Sequence, residues 1–272
     1  MKSLNNIKYS FLITGIALII LASGCTKVNP SPAYIGLHLH TYIDTNVVDP
    51  VVSDIYYPDH NGRMEMLNVA EFYLTNLQLR VQSTQQWYTV QGSIILKWEH
   101  NEPYYIANIP AGTYDDVRFT VGLNNTLNSA APSSYPTTGS SSSADTVLGQ
   151  TEAALMWGSG STTLGYTFMN VQGYDSTDHK AFSYQFGGMG DTVQVTLPVE
   201  KFIMANNEAG VPQLIHIICD YGKLLQNTNM VTSPTGSFYG PTQQQNVVNG
   251  IWTPANVQGM FRYECSTPTT EC

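Results

Sequence analysis

Strand-like segments in which apolar and polar residues alternate recur along this chain, and that alternation limits what it can fold into. It is cleanest in YIGLHLHTYI (34–43) and returns in AEFYLTNLQLRV (70–81), WYTVQGSIILKWE (87–99) and YYIANIPAGTYDDVRFTVGL (104–123). It continues in AFSYQFGG (181–188), DTVQVTLPVEKF (191–202), QLIHIICDY (213–221) and the closing MFRYEC (260–265). In an extended strand successive side chains point to opposite faces, so this pattern makes half-buried strands and not helices. Gly, Pro and Asn punctuate the runs as turn formers. The expected class is all-β: a single immunoglobulin-like, Greek-key β-sandwich with long polar loops. TEAALMW (151–157) and PVEKFIMAN (198–206) are the only helix-like pieces, and 123–146 reads as one long polar loop. No internal repeat is visible.

The N-terminus carries a different signal. Lys2 and Lys8 precede an apolar run from Phe11 to Ala22 that ends in Leu21-Ala22-Ser23-Gly24-Cys25. A run this short is a signal peptide and not a membrane span. Small residues before a cysteine resemble a bacterial lipobox, which makes residues 1–24 a lipoprotein signal peptide and Cys25 the lipidated mature terminus. Residues 25–33 are then a linker, 34–225 the β-domain and 226–272 a C-terminal extension that completes or flanks it. Thr26 after the cysteine points to the outer membrane, facing the periplasm or the cell surface, with the membrane contacted through the lipid. Charged residues are only 11% of the chain and the net charge is −9, which argues against a nucleic-acid partner. In an oxidising compartment, Cys265 and Cys272 of CSTPTTEC are expected to form a disulfide, while Cys219 sits among apolar neighbours as a buried thiol.

Several phrases occur in a telling order: GLHLHTYID, EFYLTNLQL, IPAGTYDDVRFTVGL, ALMW, GYTFMNVQG, FSYQFGG and IHIICDYGKLL. From about Ile35 to Leu225 this order resembles the MbnP-like family, periplasmic or lipid-anchored β-proteins named after a copper-binding protein encoded beside methanobactin genes. The resemblance implies a β-sandwich. It also implies a copper site built from histidines and an oxidised tryptophan, and a partner of the di-haem peroxidase class. Trp157, in ALMW, is its candidate for the modified residue. The chain departs from the pattern at Gln185, where many relatives carry histidine, and at Asn124, where an amide replaces a carboxylate. Met156-Trp157 also runs into GSGSTTL in place of a second tryptophan.

His38 and His40 are i and i+2 on a strand, so they share a face with Cβ atoms roughly 6.5–7 Å apart. Two imidazoles at that spacing make half of a metal site. The missing ligands are sought in Met156, His216, Gln185 or a modified Trp157. The competing reading is two histidines on a solvated sheet face. His60, His100 and His179 lie in polar, loop-like surroundings and are assigned to the surface. Asp115 and Asp116 are adjacent on a strand and so point to opposite faces, unsuited to joint acid–base work. Gly187-Gly188-Met189-Gly190-Asp191 is a turn that needs positive φ. No nucleophile elbow, zincin motif or phosphate loop occurs. The expectation is a non-enzymatic, copper-binding lipoprotein that works with a di-haem peroxidase or a TonB-type metal-uptake receptor. The alternative is an interaction module of an outer-membrane assembly, contacting a glycan or protein.

Overall fold

The structure is a computed structural model that describes residues 33–48, 51, 54–90, 94–97, 104–135, 137, 149–157, 165–188, 190, 192–203, 213–229, 235–239 and 251–264. Cys25, His100, Cys265 and Cys272 lie outside the described residues, and with them the lipid-anchor and disulfide expectations.

Among the described residues the fold is mostly β, in two mixed sheets. The smaller sheet holds five strands: β1 (Ala33–Ile43), β2 (Asn46–Val47), β7 (Tyr104–Ile109), β12 (Gln213–Asp220) and β14 (Phe261–Tyr263). Their order is β14-β12-β1-β2, with β7 also pairing β1. The larger sheet holds nine strands. Its main path runs β11 (Val193–Ile203), β8 (Thr113–Val121), β4 (Met64–Val81), β9 (Thr167–Asp175), β10 (Lys180–Gly187) and β13 (Gly236–Tyr239). The short strands β3 (Tyr57–Pro58), β5 (Trp87–Thr89) and β6 (Ile94–Lys97) pair with β4. Among the described strands two pairings are parallel, β1 with β12 and β10 with β13. The helices are short: α1 (Asn125–Asn128), α2 (Gln150–Leu155), α3 (Tyr221–Leu225) and α4 (Pro254–Met260).

Three local expectations change. The PVEKFI part of the second helix-like piece is the end of β11, where Pro198 sits at a register shift. Because β11 lies at the end of its sheet's path, the missing proline donor is tolerated there. The Pro110-Ala111-Gly112 stretch, which reads in the sequence as a turn between two strands of a hairpin, joins strands of different sheets: β7 pairs with β1 whereas β8 pairs with β4 and β11, so the turn carries the chain from one sheet to the other. Tyr114 secures it by donating to the Pro110 carbonyl at 2.6 Å. Asp115 and Asp116 do act on one partner: Arg80 Nε meets Asp115 Oδ1 at 2.8 Å and its Nη2 meets Asp116 Oδ2 at 2.6 Å. The strand register shifts at Arg80/Val81, and the guanidinium fork spans both carboxylates.

The sheets meet in one core. Phe261 of β14 packs edge-on against Phe72 of β4 and Phe119 of β8, with ring centroids 5.3 and 5.1 Å away. Beside this apolar core is a buried charged network. Arg63 spends its donors on Asp59 Oδ2 (2.8 and 2.6 Å) and on the carbonyls of Thr228 (2.6 Å) and Leu225 (3.0 Å). Glu65 is fully buried and pairs across the strands with buried Asp175. Arg63 Nη2 lies 3.0 Å from Glu65 Oε1, yet neither Glu65 oxygen receives a hydrogen bond.

Candidate metal centre

Burial along β1 alternates as the sequence requires: Ile35, Leu37, Leu39 and Ile43 are buried in the core, and His38, His40 and Tyr42 lie on the other face. The neighbouring strand adds what the local sequence does not show. β12 runs parallel to β1 with His38 opposite His216. Ile215 and Ile217 of β12 are buried, so the alternation sets His216 on the histidine face. One ligand atom from each of His38, His40 and His216 lies within 4.8 Å of the others, a grouping that could hold a metal ion. The His38 and His40 rings are 3.9 Å apart, and those of His40 and His216 stack at 5.4 Å. His40 Nε2 is 3.1 Å from His216 Nδ1.

A fourth residue reaches the cluster from β14. The antiparallel register of β12 and β14 brings Glu264 opposite His216, and its amide donates to the His216 carbonyl at 3.0 Å. Its Oε2 lies 3.2 Å from His40 Nε2 and 3.5 Å from His216 Nδ1. Its Oε1 accepts from the Tyr42 hydroxyl at 3.1 Å. Sequence reasoning passed over Glu264; the strand-like MFRYEC was its only trace. Burial pushes the His216 imidazole below the usual histidine range, helped by the charges of His38 and His40 and opposed by Glu264. The neutral ring that results is the form that binds metals.

The other sequence candidates go elsewhere. Met156 is buried in the hydrophobic core beyond α2, and Trp157 packs edge-on against Tyr166 with centroids 4.5 Å apart. Gln185 is on β10 of the larger sheet, where Ser237 donates to its Oε1 at 2.5 Å. Tyr184 and Phe186 beside it are buried, so Gln185 faces away from the core on that sheet. Cys219 is fully buried, and His179 is exposed at a positive φ. Glycines 188 and 190 have the positive φ expected of their turn. His60 is at the surface, but its ring bridges two carboxylates: Nδ1 to Asp44 Oδ1 at 3.1 Å and Nε2 to buried Asp220 Oδ2 at 2.9 Å. Arg262 shares Asp220 Oδ2 at 2.8 Å.

Fold and site together define a class, a mostly β protein bearing a cluster of imidazoles on the outer face of one sheet. The MbnP family model matches residues 33–243, and the chain belongs to that family. Its structure is similar to that of MbnP from Methylosinus trichosporium, with a TM-score of 0.54 and 11% identity over 86% of this chain and 99% of that one. At such low identity the likeness speaks for the fold alone. No curated protein matches the chain.

Proposed function

We propose that this protein is an exported, lipid-anchored copper-binding protein of the outer membrane that holds its metal on His38, His40 and His216. The observation that carries the proposal is the convergence of three imidazoles from two parallel strands. Imidazole donors suit copper, which also stands at the top of the affinity order for divalent first-row metals. The cluster is reachable, since the His216 side chain is 40% exposed. Among the described residues the fit is to a histidine site without thiolate, because Cys219 is buried in the strand. Bound copper would supply a one-electron redox centre at the sheet surface. The protein is not itself an enzyme in this reading; it binds and presents the metal, and its partner is a di-haem peroxidase or a TonB-type uptake receptor. The signal-like N-terminus and family membership support export and metal handling.

Copper titration of the mature protein with a competing chelator tests this. One equivalent should bind, and His40→Ala or His216→Ala should weaken binding by about tenfold or more, equivalent to about 1.4 kcal/mol. Equal affinity in the wild type and a variant lacking all three imidazoles would make them ordinary sheet-face residues. The interaction-module reading would then replace this one.

A further inference from the structure

We infer that Glu264 is an additional ligand of this centre and that its carboxylate biases the site toward the divalent ion. The inference rests on the metal-binding reading above and extends it to the metal's oxidation state. For metal–ligand bonds of 2.0–2.2 Å in a tetrahedron, neighbouring donor atoms sit about 3.3–3.6 Å apart. His40 Nε2, His216 Nδ1 and Glu264 Oε2 form a triangle with sides of 3.1, 3.2 and 3.5 Å. That triangle is close to one face of such a tetrahedron. His38, whose ligand atom lies within 4.8 Å of those of His40 and His216, is the donor available for the fourth corner.

The carboxylate is held in place and does not merely drift nearby. Tyr42, two residues beyond His40 on the same face of β1, donates to the second oxygen at 3.1 Å. A partner of this kind fixes the orientation of a ligand. The guanidinium carbon of Arg262 lies 5.6 Å from the centre of the Tyr42 ring. The segment that delivers Glu264 is anchored as well. Gln258 of α4 accepts from the Thr196 amide at 2.9 Å and donates to the Thr196 carbonyl at 3.0 Å. Phe261 is buried between Phe72 and Phe119. Glu264 lies beyond residue 243, where the family match ends, so this ligand comes from a part of the chain that the family model does not reach.

The chemical consequence follows from charge and hardness. A carboxylate oxygen is a hard anionic donor and favours a divalent ion, whereas cuprous copper favours soft ligands. Three imidazoles alone accept either state; adding Glu264 favours Cu(II).

The test measures Cu(II) and Cu(I) affinities separately for full-length mature wild type, Glu264→Gln and His216→Ala. Spectra of the Cu(II) forms are recorded by electron paramagnetic resonance. Glutamine keeps an acceptor for Tyr42 and removes the charge. Glu264→Gln should lose about tenfold or more in Cu(II) affinity with Cu(I) affinity nearly unchanged. The Cu(II)/Cu(I) potential would then rise by about 59 mV per tenfold. The Cu(II) spectrum should shift toward an all-nitrogen set. Unchanged Cu(II) affinity and spectrum, or equal losses for both ions, would overturn the role of Glu264 while leaving the imidazole site standing. If His216→Ala binds as the wild type does, the imidazole site falls, and the Glu264 inference with it.

Discussion

Glu65 should make this protein lose stability as the pH rises through neutrality. Its carboxyl is fully buried, Arg63 is already committed to Asp59 and two carbonyls, and no hydrogen bond reaches either oxygen. Burial therefore pushes its pKa from 4.5 up to about 8, and the nearby Asp59, Asp175 and Asp220 charges add to the effect, while the attraction of Arg63 only partly offsets it. Arg63 itself is held in its charged form: burial opposes the charge, but the hydrogen bond to Asp59 and the nearby Glu65, Asp59 and Asp175 carboxylates together outweigh it. A guanidinium already bonded to Asp59 cannot fully neutralise a second buried carboxylate, so Glu65 keeps a proton. A raised pKa means that the folded state holds more protons than the unfolded state between pH 4.5 and about 8. Stability from the neutral carboxyl is full below 4.5 and falls by about 1.4 kcal/mol per pH unit across that window, roughly 5 kcal/mol in all. Glu65→Gln keeps the shape and removes the titration. Denaturant unfolding of both proteins from pH 4 to 9 isolates the effect, because the histidines titrate in both. The stability of the variant relative to wild type should climb steadily through the window and level off above pH 8. A constant difference across the range would show that Glu65 is ionised in the folded protein, and the reasoning from burial would be wrong.

Two further outcomes follow from placement and packing. Gln185→His should leave copper affinity within about threefold, a difference well under 1 kcal/mol. The new imidazole would stand on the outer face of the larger sheet, while the cluster stands on that of the smaller; a marked gain in titration would contradict this placement. Gly173→Ala should cost about 3 kcal/mol or more and lower the melting temperature. A Cβ there would stand 2.0 Å from the Met66 carbonyl oxygen and 2.6 Å from the Phe182 ring, so an unchanged melting curve would refute the close strand approach.

Periodicity was legible because burial in a strand alternates residue by residue, and that information is local. Leu37 and Leu39 inside, with His38 and His40 outside, could be read from four letters. The mostly β class, the family and the shared face of the histidine pair all came from such local pattern and phrase order. Sheet partnership is not local. His40 and His216 are 176 positions apart, and nothing near either residue says that β1 and β12 lie side by side, parallel and in the register that sets 38 against 216. A slip of one residue would have turned His216 toward the core and broken the cluster. Glu264 depended in the same way on the pairing of β14, and Glu65 on the enclosing of a strand end that reads as polar. The sequence by itself determined which face each strand would bury, because the solvent preference of each side chain is its own. Only the tertiary structure decided which faces met, because pairing is chosen by the packing of the whole core.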